Sequence, residues 1–548
     1  MPYEPSKNDL FHEIIERISE ERPNKTAILY MGKRFTFKQF VNKFQRFASG
    51  LAKLGIKEDD KVGVYLPNTP QAVIAFYGIS RAGATVVLLS AIYSTGELSY
   101  ILKENDIKTI ICSDINVGNI MRVKDEVGLE NIIVTKLDDE LPMIKRVIAR
   151  GFDRVPLGHI PKNPNIYPYH KFIKNEVSGS PQPAGDARRK VLFIIYTGGT
   201  TGSPKGVPHT HDEMVSALTS FNAFVRRHVD ELKEGEEIWA GYQPFYHLAG
   251  LMFINLPIVR GETVVIFPSP DIDAVLTEIG RRKITCVAGA PTFFSMILGN
   301  LRLDQYLSGL KSVKYFTSGA DALPEEVFNR WQKLTGKELL QTWGASEMFV
   351  ATHNVPGQAD LSLGTVLPGY ELGVLDFEEN RFLGEGENGE LAVKGDAVLK
   401  AYLKKPEETK ESLVEINGGV WYRSGDVGRV ENGKYYFEER KREIIKYKGY
   451  NIGASEVEQA LYAHEAIKEV AVIGVPDKNV GEIVKAVVVL HEEAKNVTLH
   501  DLLEICRQKL TSYKIPKHIE FRDALPKSPH TGKILKRELR QEEILKRG

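Results

Sequence analysis

The residues best equipped for chemistry stand together in Tyr196-Thr197-Gly198-Gly199-Thr200-Thr201-Gly202-Ser203-Pro204-Lys205-Gly206-Val207, directly after an apolar run. Four glycines, three threonines and one lysine fall within these twelve residues. Bare backbone N–H groups, hydroxyls and one ammonium are the donors that surround polyphosphate oxygens. The run contains no Gly-Lys-Ser/Thr, and Pro204 stands before Lys205, which disfavours the kinase-type phosphate loop. Composition alone leaves a glycine-rich surface turn open as the other reading. Cys112, Cys286 and Cys506 are the three thiols, odd in number and widely spaced. That pattern argues against a disulfide framework or a zinc site and for a reducing compartment, with the cytoplasm as the expected location.

Further runs follow along the chain. They are Tyr246-His247-Leu248-Ala249-Gly250, Ser318-Gly319-Ala320-Asp321-Ala322-Leu323, Gln341-Thr342-Trp343-Gly344-Ala345-Ser346-Glu347 and Trp421-Tyr422-Arg423-Ser424-Gly425-Asp426. Arg440-Lys441-Arg442-Glu443 then leads into Lys446-Tyr447-Lys448-Gly449-Tyr450, and Pro526-Lys527 precedes Thr531-Gly532-Lys533-Ile534. In this order they resemble, over nearly the whole chain, the signatures of the adenylate-forming enzymes: acyl-CoA synthetases, peptide-synthetase adenylation domains and beetle luciferases. The acyl-CoA ligases are the nearest branch. The resemblance implies an α/β fold with a large N-terminal domain of βα-layered sheets, residues 1–440, and a small mobile α+β C-terminal domain, residues 441–548. It places a hinge at Lys441-Arg442. It also implies an activity in which a carboxylic acid, ATP and CoA give acyl-CoA, AMP and diphosphate through an acyl-adenylate, with Mg²⁺ as cofactor.

By the same resemblance, ATP and AMP are held by Thr197, Gly198, Gly199, Thr200, Thr201, Gly202 and Lys205, and by Ser318, Gly319 and Ala320. Gln341, Thr342, Trp343, Gly344 and Ser346 continue the site, with Asp426, Arg440 and Lys533. Glu347 is a carboxylate able to hold Mg²⁺ against phosphate oxygens with help from the Thr200 hydroxyl, and an exposed acid is its plainer reading. Asp426 only accepts hydrogen bonds, which matches a pair of ribose hydroxyls, although a turn acid after Gly425 fits the sequence equally. Arg440 offers a rigid fork of donors, while the basic run 440–448 in isolation reads as a solvated face. Lys533 is the implied catalytic cation, a point charge between the attacking carboxylate and the α-phosphate. His247 is the second implied catalytic residue, bordering the place where acid and thiol meet, with a packed histidine as the alternative. Lys448 and Gly449 are assigned to CoA, the glycine for close backbone approach to the pantetheine arm. Two positions depart from the family pattern: Gly198 stands where Ser or Thr is usual, and Arg442 where Asp or Lys is usual.

His247, Trp343 and Gly344 form the expected acyl pocket. Acetate-activating members carry a second tryptophan where Gly344 stands, so the pocket is expected to be deeper than a two-carbon acid requires and acetate a poor substrate. Phe293, Phe294, Met296 and Val350 are candidates to line an apolar slot for a medium or long chain, with core packing as the alternative. Aryl and hydroxy acids stay open. So does an adenylase that loads a carrier protein, although only fifteen residues follow Lys533. Luciferase-like oxidation and a non-catalytic nucleotide-binding protein are more distant readings.

The elements that must position these groups are those of a soluble globular chain of 548 residues, 42% hydrophobic and 26% charged. That length suggests roughly three or four compact units. Lys plus Arg and Asp plus Glu both total 72, so no global basic field exists to hold nucleic acid. The N-terminus lacks the basic and apolar order of a signal peptide. The apolar stretch Ala72 to Tyr93 is interrupted by Arg81 and by Gly78, Gly83, Ser80 and Ser90, and is expected to be a buried helix followed by a strand rather than a membrane span. The partners are therefore expected to be small molecules, with the oligomeric state left open and a homodimer one option. Strands are expected at Lys61 to Leu66, Thr85 to Leu89, Thr109 to Cys112, Asn131 to Thr135, Val191 to Thr197, Thr263 to Phe267, Ile284 to Val287 and Val313 to Phe316. Met214, Leu218, Phe221 and Val225 share one helical face, with 211–213 able to start the helix. Past residue 440, strands are expected at Glu443 to Tyr447, Val470 to Ile473 and Ile483 to Leu490. Helices are expected at Ser455 to Tyr462 and from Thr498, where Asp501 completes a capping box. The basic stretch Lys145 to Arg154 is read as a solvated surface.

Overall fold

The computed structural model describes residues 9–141, 158–161, 163–174, 177, 187–197, 204–448, 450–477, 480–491, 494, 497–527 and 534–547. The stretch Lys145 to Arg154 lies outside the described residues. Four sheets organise the rest. The first has seven strands, with Thr109–Ser113, Lys61–Tyr65, Thr85–Leu88 and Val191–Thr197 parallel in its middle. Its last strand, Lys205–Thr210, returns antiparallel to Val191–Thr197, with Thr197 opposite Lys205. Thr197 and Lys205 are thus ladder partners, and Lys205 opens a strand rather than a helix.

The second sheet has nine strands, and its parallel centre carries Ile238–Gly241, Cys286–Gly289, Tyr315–Ser318 and Leu340–Ala345. A five-stranded antiparallel sheet follows, containing Gly419–Glu431 and Lys434–Arg440. The last sheet joins Ile445–Tyr447, Tyr450–Ile452, Ile467–Asp477, Gly481–Leu490 and His518–Phe521. This is the expected α/β class, with large βα layers first and a small α+β unit at the end.

The first layer follows its sequence pattern closely, because parallel strands covered on both faces are continuous β-branched runs. Two strands of the second layer begin two residues later than expected, at Cys286 and Tyr315. Their ladder pairs Gly289 with Ser318, small residues that carry no β-branched signal. Gly289 is required there, since a Cβ would meet the Tyr242 hydroxyl. The helix expected after Ala72 is Pro70–Arg81, buried along its whole length and capped by Thr69 with Pro70 in the first turn. Thr85–Leu88 follows as the strand. Among the described residues, no helix is long and apolar enough to cross a membrane.

Helix His211–His228 buries Met214, Leu218, Phe221 and Val225 as its spacing requires, but its cap is Thr210, paired with Glu213 in a capping box. In the last unit Leu499–Lys509 starts from the Thr498 and Asp501 box. The strand expected from Glu443 begins instead at Ile445, because Lys441–Glu443 form a single 3₁₀ turn. The three thiols are free and buried.

Candidate nucleotide and acyl site

Trp343, Asp426 and Arg440 come from different strands and meet in one cluster. Asp426 and Arg440 are opposite each other in the antiparallel pair Gly419–Glu431 and Lys434–Arg440. The Trp343 indole N–H donates to one Asp426 oxygen at 2.7 Å, and the Arg440 guanidinium reaches the other at 2.7 Å. Asp426 is buried, and Gly425 before it holds φ +73°, a turn that a side chain would strain. Burial pulls the Arg440 charge down, but Asp426, Asp321 and Glu443 outweigh it and hold the guanidinium protonated more firmly than usual. A carboxylate only accepts hydrogen bonds, which is the chemistry that matches ribose hydroxyls.

Glu347 lies in the turn after Leu340–Ala345, not at the end of a strand. The Tyr402 hydroxyl donates to its Oε1 at 2.9 Å. The Lys205 ammonium stands 5.2 Å from the centre of the Tyr402 ring. The preceding carbonyl, that of Ser346, accepts a 2.7 Å hydrogen bond from Nε2 of the buried His209, whose Nδ1 faces Glu213 at 3.1 Å. Neither Tyr402 nor His209 has a local motif around it, and the sequence reading missed both. A lone carboxylate anchored on one oxygen suits an oxygen-preferring cation such as Mg²⁺. Its expected helper Thr200 lies outside the described residues, as do Gly198, Gly199, Thr201 and Gly202.

The remaining nucleotide-side candidates divide. Ser318 ends its strand fully buried, and its hydroxyl has no hydrogen-bond partner among the described residues. At Gly319 a Cβ would stand 2.6 Å from the Thr342 methyl, so close strand crossing requires glycine. Ala320 adopts φ +71°, rare for a residue with a side chain and a mark of local strain. Gln341 turns its amide to the carbonyls of Leu361 and Ser362, at 3.3 and 3.1 Å, so its side chain holds a loop. Thr342 likewise spends its hydroxyl on the Thr352 carbonyl at 2.8 Å.

His247 is the residue before helix Leu248–Val259, half-buried, with its ring 4.7 Å from that of Tyr246. Asn68 fixes the preceding turn by accepting from Phe245 N–H and donating to the Gln243 carbonyl, both at 2.7 Å. Gly250 lets the helix start against this turn, since a Cβ would press on the Pro244 carbonyl. The expectation for Gly344 needs amendment. A Cβ there would meet the Phe349 carbonyl and stand 2.9 Å from the Val350 Cα. The glycine is demanded by the neighbouring strand, whose Phe349 takes φ +57°, and an added indole would have to move backbone before it could fill any pocket. Phe294 packs against Trp331 and Phe316 in the core, and Met296 is 61% exposed, so neither lines an interior slot.

Lys448 occupies the tip of the hairpin Ile445–Tyr447 and Tyr450–Ile452, exposed and at φ +47°. Its neighbour Gly449 lies outside the described residues. So does Lys533, although Lys527 and Ile534 on either side of it form an antiparallel bridge. Lys441 reaches the buried Glu390 at 3.1 Å, and Lys536 pairs with Glu443 at 3.0 Å and Glu458 at 2.9 Å.

These positions match a family. Residues 15–403 fit the model described as AMP-binding enzyme, and residues 456–533 fit the AMP-binding enzyme C-terminal domain. The chain is 36% identical to a long-chain-fatty-acid–CoA ligase of Bacillus subtilis, over 99% of this chain and 96% of that protein. It is 31% identical to a long-chain-fatty-acid–CoA ligase of Escherichia coli O6:H1, over 97% and 94%. Among solved structures, the anthranilate CoA ligase AuaEII with anthranoyl-AMP is 26% identical, with a TM-score of 0.85 over 99% of both chains. The chain belongs to the AMP-binding enzyme family.

Proposed function

We propose that this protein is an AMP-forming acid–thiol ligase that converts a medium- or long-chain fatty acid, ATP and CoA to acyl-CoA, AMP and diphosphate. The observation that carries the reading is the meeting of Trp343, Asp426 and Arg440 beside a strand turn that bears Glu347. Acceptors for ribose, a fork of donors and a carboxylate for a cation then face one nucleotide. In the first step a carboxylate oxygen of the acid attacks the α-phosphorus and diphosphate leaves. Lys533 would sit between the two anions, and Lys205 with the 198–203 backbone would hold the departing phosphates. Glu347 and Thr200 would hold Mg²⁺, which supplies charge neutralisation at the phosphate oxygens. In the second step the thiol sulfur attacks the acyl carbonyl, the thiol proton is lost and AMP leaves, with His247 bordering the reacting carbon and Lys448 and Gly449 receiving CoA.

The domain division at 440 and 441, with the hinge at Lys441-Arg442, belongs to the same proposal, as does a cytoplasmic location. The fatty-acid preference rests on the names of the bacterial relatives. The test is mass spectrometry of products from ATP, Mg²⁺ and acids from acetate to palmitate plus an aryl acid, with and without CoA. Acyl-AMP without CoA and acyl-CoA with it, rising beyond acetate, is the expected outcome. Acyl-AMP in both conditions and no thioester would overturn the ligase reading in favour of a carrier-loading adenylase.

A further inference from the structure

Tyr402 occupies a singular place between the two parts of the site that must handle phosphate. It belongs to a strap tied at both ends: the Leu399 N–H donates to the Glu347 carbonyl at 2.7 Å, and the Leu403 N–H donates to the Gly206 carbonyl at 2.9 Å. Gly206 is in the strand Lys205–Thr210, and a Cβ on it would already touch Leu403 at 3.1 Å. Between these ties the buried Tyr402 donates to Glu347 Oε1 and lays its ring beneath the Lys205 ammonium. The hydroxyls of Tyr422 and Ser412 approach the Tyr402 oxygen in turn. Tyr422 lies on Gly419–Glu431, the strand that carries Asp426.

Among the described residues, the Glu347 carboxylate has no hydrogen-bond donor besides Tyr402. A carboxylate left to rotate would present either oxygen, or neither, to a cation. One held at Oε1 presents the other in a fixed direction, and such outer contacts to metal-binding carboxylates typically govern affinity by 10–100-fold.

We propose that Tyr402 is a positioning residue that fixes Glu347 for a divalent cation and sets the distance between that carboxylate and the strand Lys205–Thr210 with its Lys205 ammonium. The inference rests on the nucleotide-site reading above and assigns a role to a residue outside its motifs.

The test uses the full-length protein and the conservative change Tyr402→Phe, which keeps the ring beneath Lys205 and removes only the hydroxyl. Mn²⁺ binding is measured by electron paramagnetic resonance in the presence of a non-hydrolysable ATP analogue, beside AMP affinity and the thermal midpoint. The expected result is a loss of Mn²⁺ affinity of roughly tenfold, with AMP affinity and thermal midpoint little changed, and a matching rise in the Mg²⁺ needed for acyl-AMP formation. In Glu347→Gln the further change Tyr402→Phe should add nothing, since the two groups act as one. Equal Mn²⁺ affinity in wild type and Tyr402→Phe, or full additivity in the double variant, would overturn the proposal. Failure of the wild type to bind the ATP analogue at all would instead overturn the nucleotide-site reading.

Discussion

The cluster of Trp343, Asp426 and Arg440, proposed to face the nucleotide, and the C-terminal unit hold their candidate groups by different means. Trp343, Asp426 and Arg440 sit on strands whose register is fixed over several pairs, and Asp426 is buried between its two donors. In the C-terminal unit Lys448 stands on a hairpin tip, and Lys533, outside the described residues, is flanked by the bridged residues Lys527 and Ile534. That unit is tied to the antiparallel sheet by Ser455, whose N–H donates to Glu439 at 2.5 Å, and by the pair Lys441 and Glu390. The Lys441 side chain is 43% exposed. Its partner Glu390 is buried and also faces Arg423, so the carboxylate keeps a cation beside it when Lys441 is released to water. On the proposed function, the contrast would be one between a preorganised binding surface and a detachable reagent carrier.

The sharpest way to break the contrast is Lys533→Ala. If the lysine is a reagent brought by the C-terminal unit, acyl-AMP formation falls by about 10²–10³ while nucleotide affinity stays within a few-fold. Diphosphate exchange against ATP binding measures both, and unchanged turnover removes Lys533 from the mechanism.

A second probe is acid. In the N-terminal layers His353 is fully buried, donating from Nδ1 to the Asn354 carbonyl at 2.7 Å and facing the Tyr315 hydroxyl at 2.6 Å through Nε2. Burial pushes its pKa down from 6.5 to about 4. Above pH 6.5 the ring is neutral folded or unfolded. As pH falls from 6.5 to 4, the unfolded chain takes up a proton that the fold refuses, and stability of about 3 kcal/mol is lost. Glu458, in the C-terminal unit, is pushed by burial up to about 7 despite Lys536, so its contribution has the opposite sign and is lost as pH rises from about 4.5 to 7. Stability measured by denaturant titration across this range should show a shallower acid limb in His353→Gln, where the buried His12 and His211 keep the rest, and a shallower neutral-pH decline in Glu458→Gln, where Glu262 keeps the rest. Limbs of unchanged slope would count against these assignments.

The smallest expected effect is at the preorganised surface itself. Asp426→Asn keeps an acceptor for Trp343 but removes the charge facing Arg440, and should weaken ATP binding roughly tenfold. Loss of folding cooperativity in this variant would show that the cluster is structural first.

Much of this was legible because it is local. Asn131–Thr135 and Val191–Thr197 announce themselves by continuous β-branched runs, and Thr498 with Asp501 caps its helix within one turn. Asp426 and Arg440 were found through their motifs, but their pairing with Trp343 spans 83 residues and leaves no periodic trace. Tyr402 and His209 were missed for the same reason: a tyrosine 55 residues from its carboxylate looks like any core tyrosine. Gly344 was misjudged because a missing side chain reads as empty space in sequence, while the structure fills that direction with the backbone of Phe349 and Val350.

The strand pair that flanks the phosphate run has a final electrostatic consequence. Loops that open onto a helix lend a bound anion about half a positive charge from aligned peptide dipoles, whereas adjacent strands contribute almost none. Thr197 and Lys205 close an antiparallel strand pair, which lends little dipole charge of this kind. On the proposed reading, the counter-charge to a polyphosphate would then reside in side chains and a cation, which are screened by salt and can be removed one at a time.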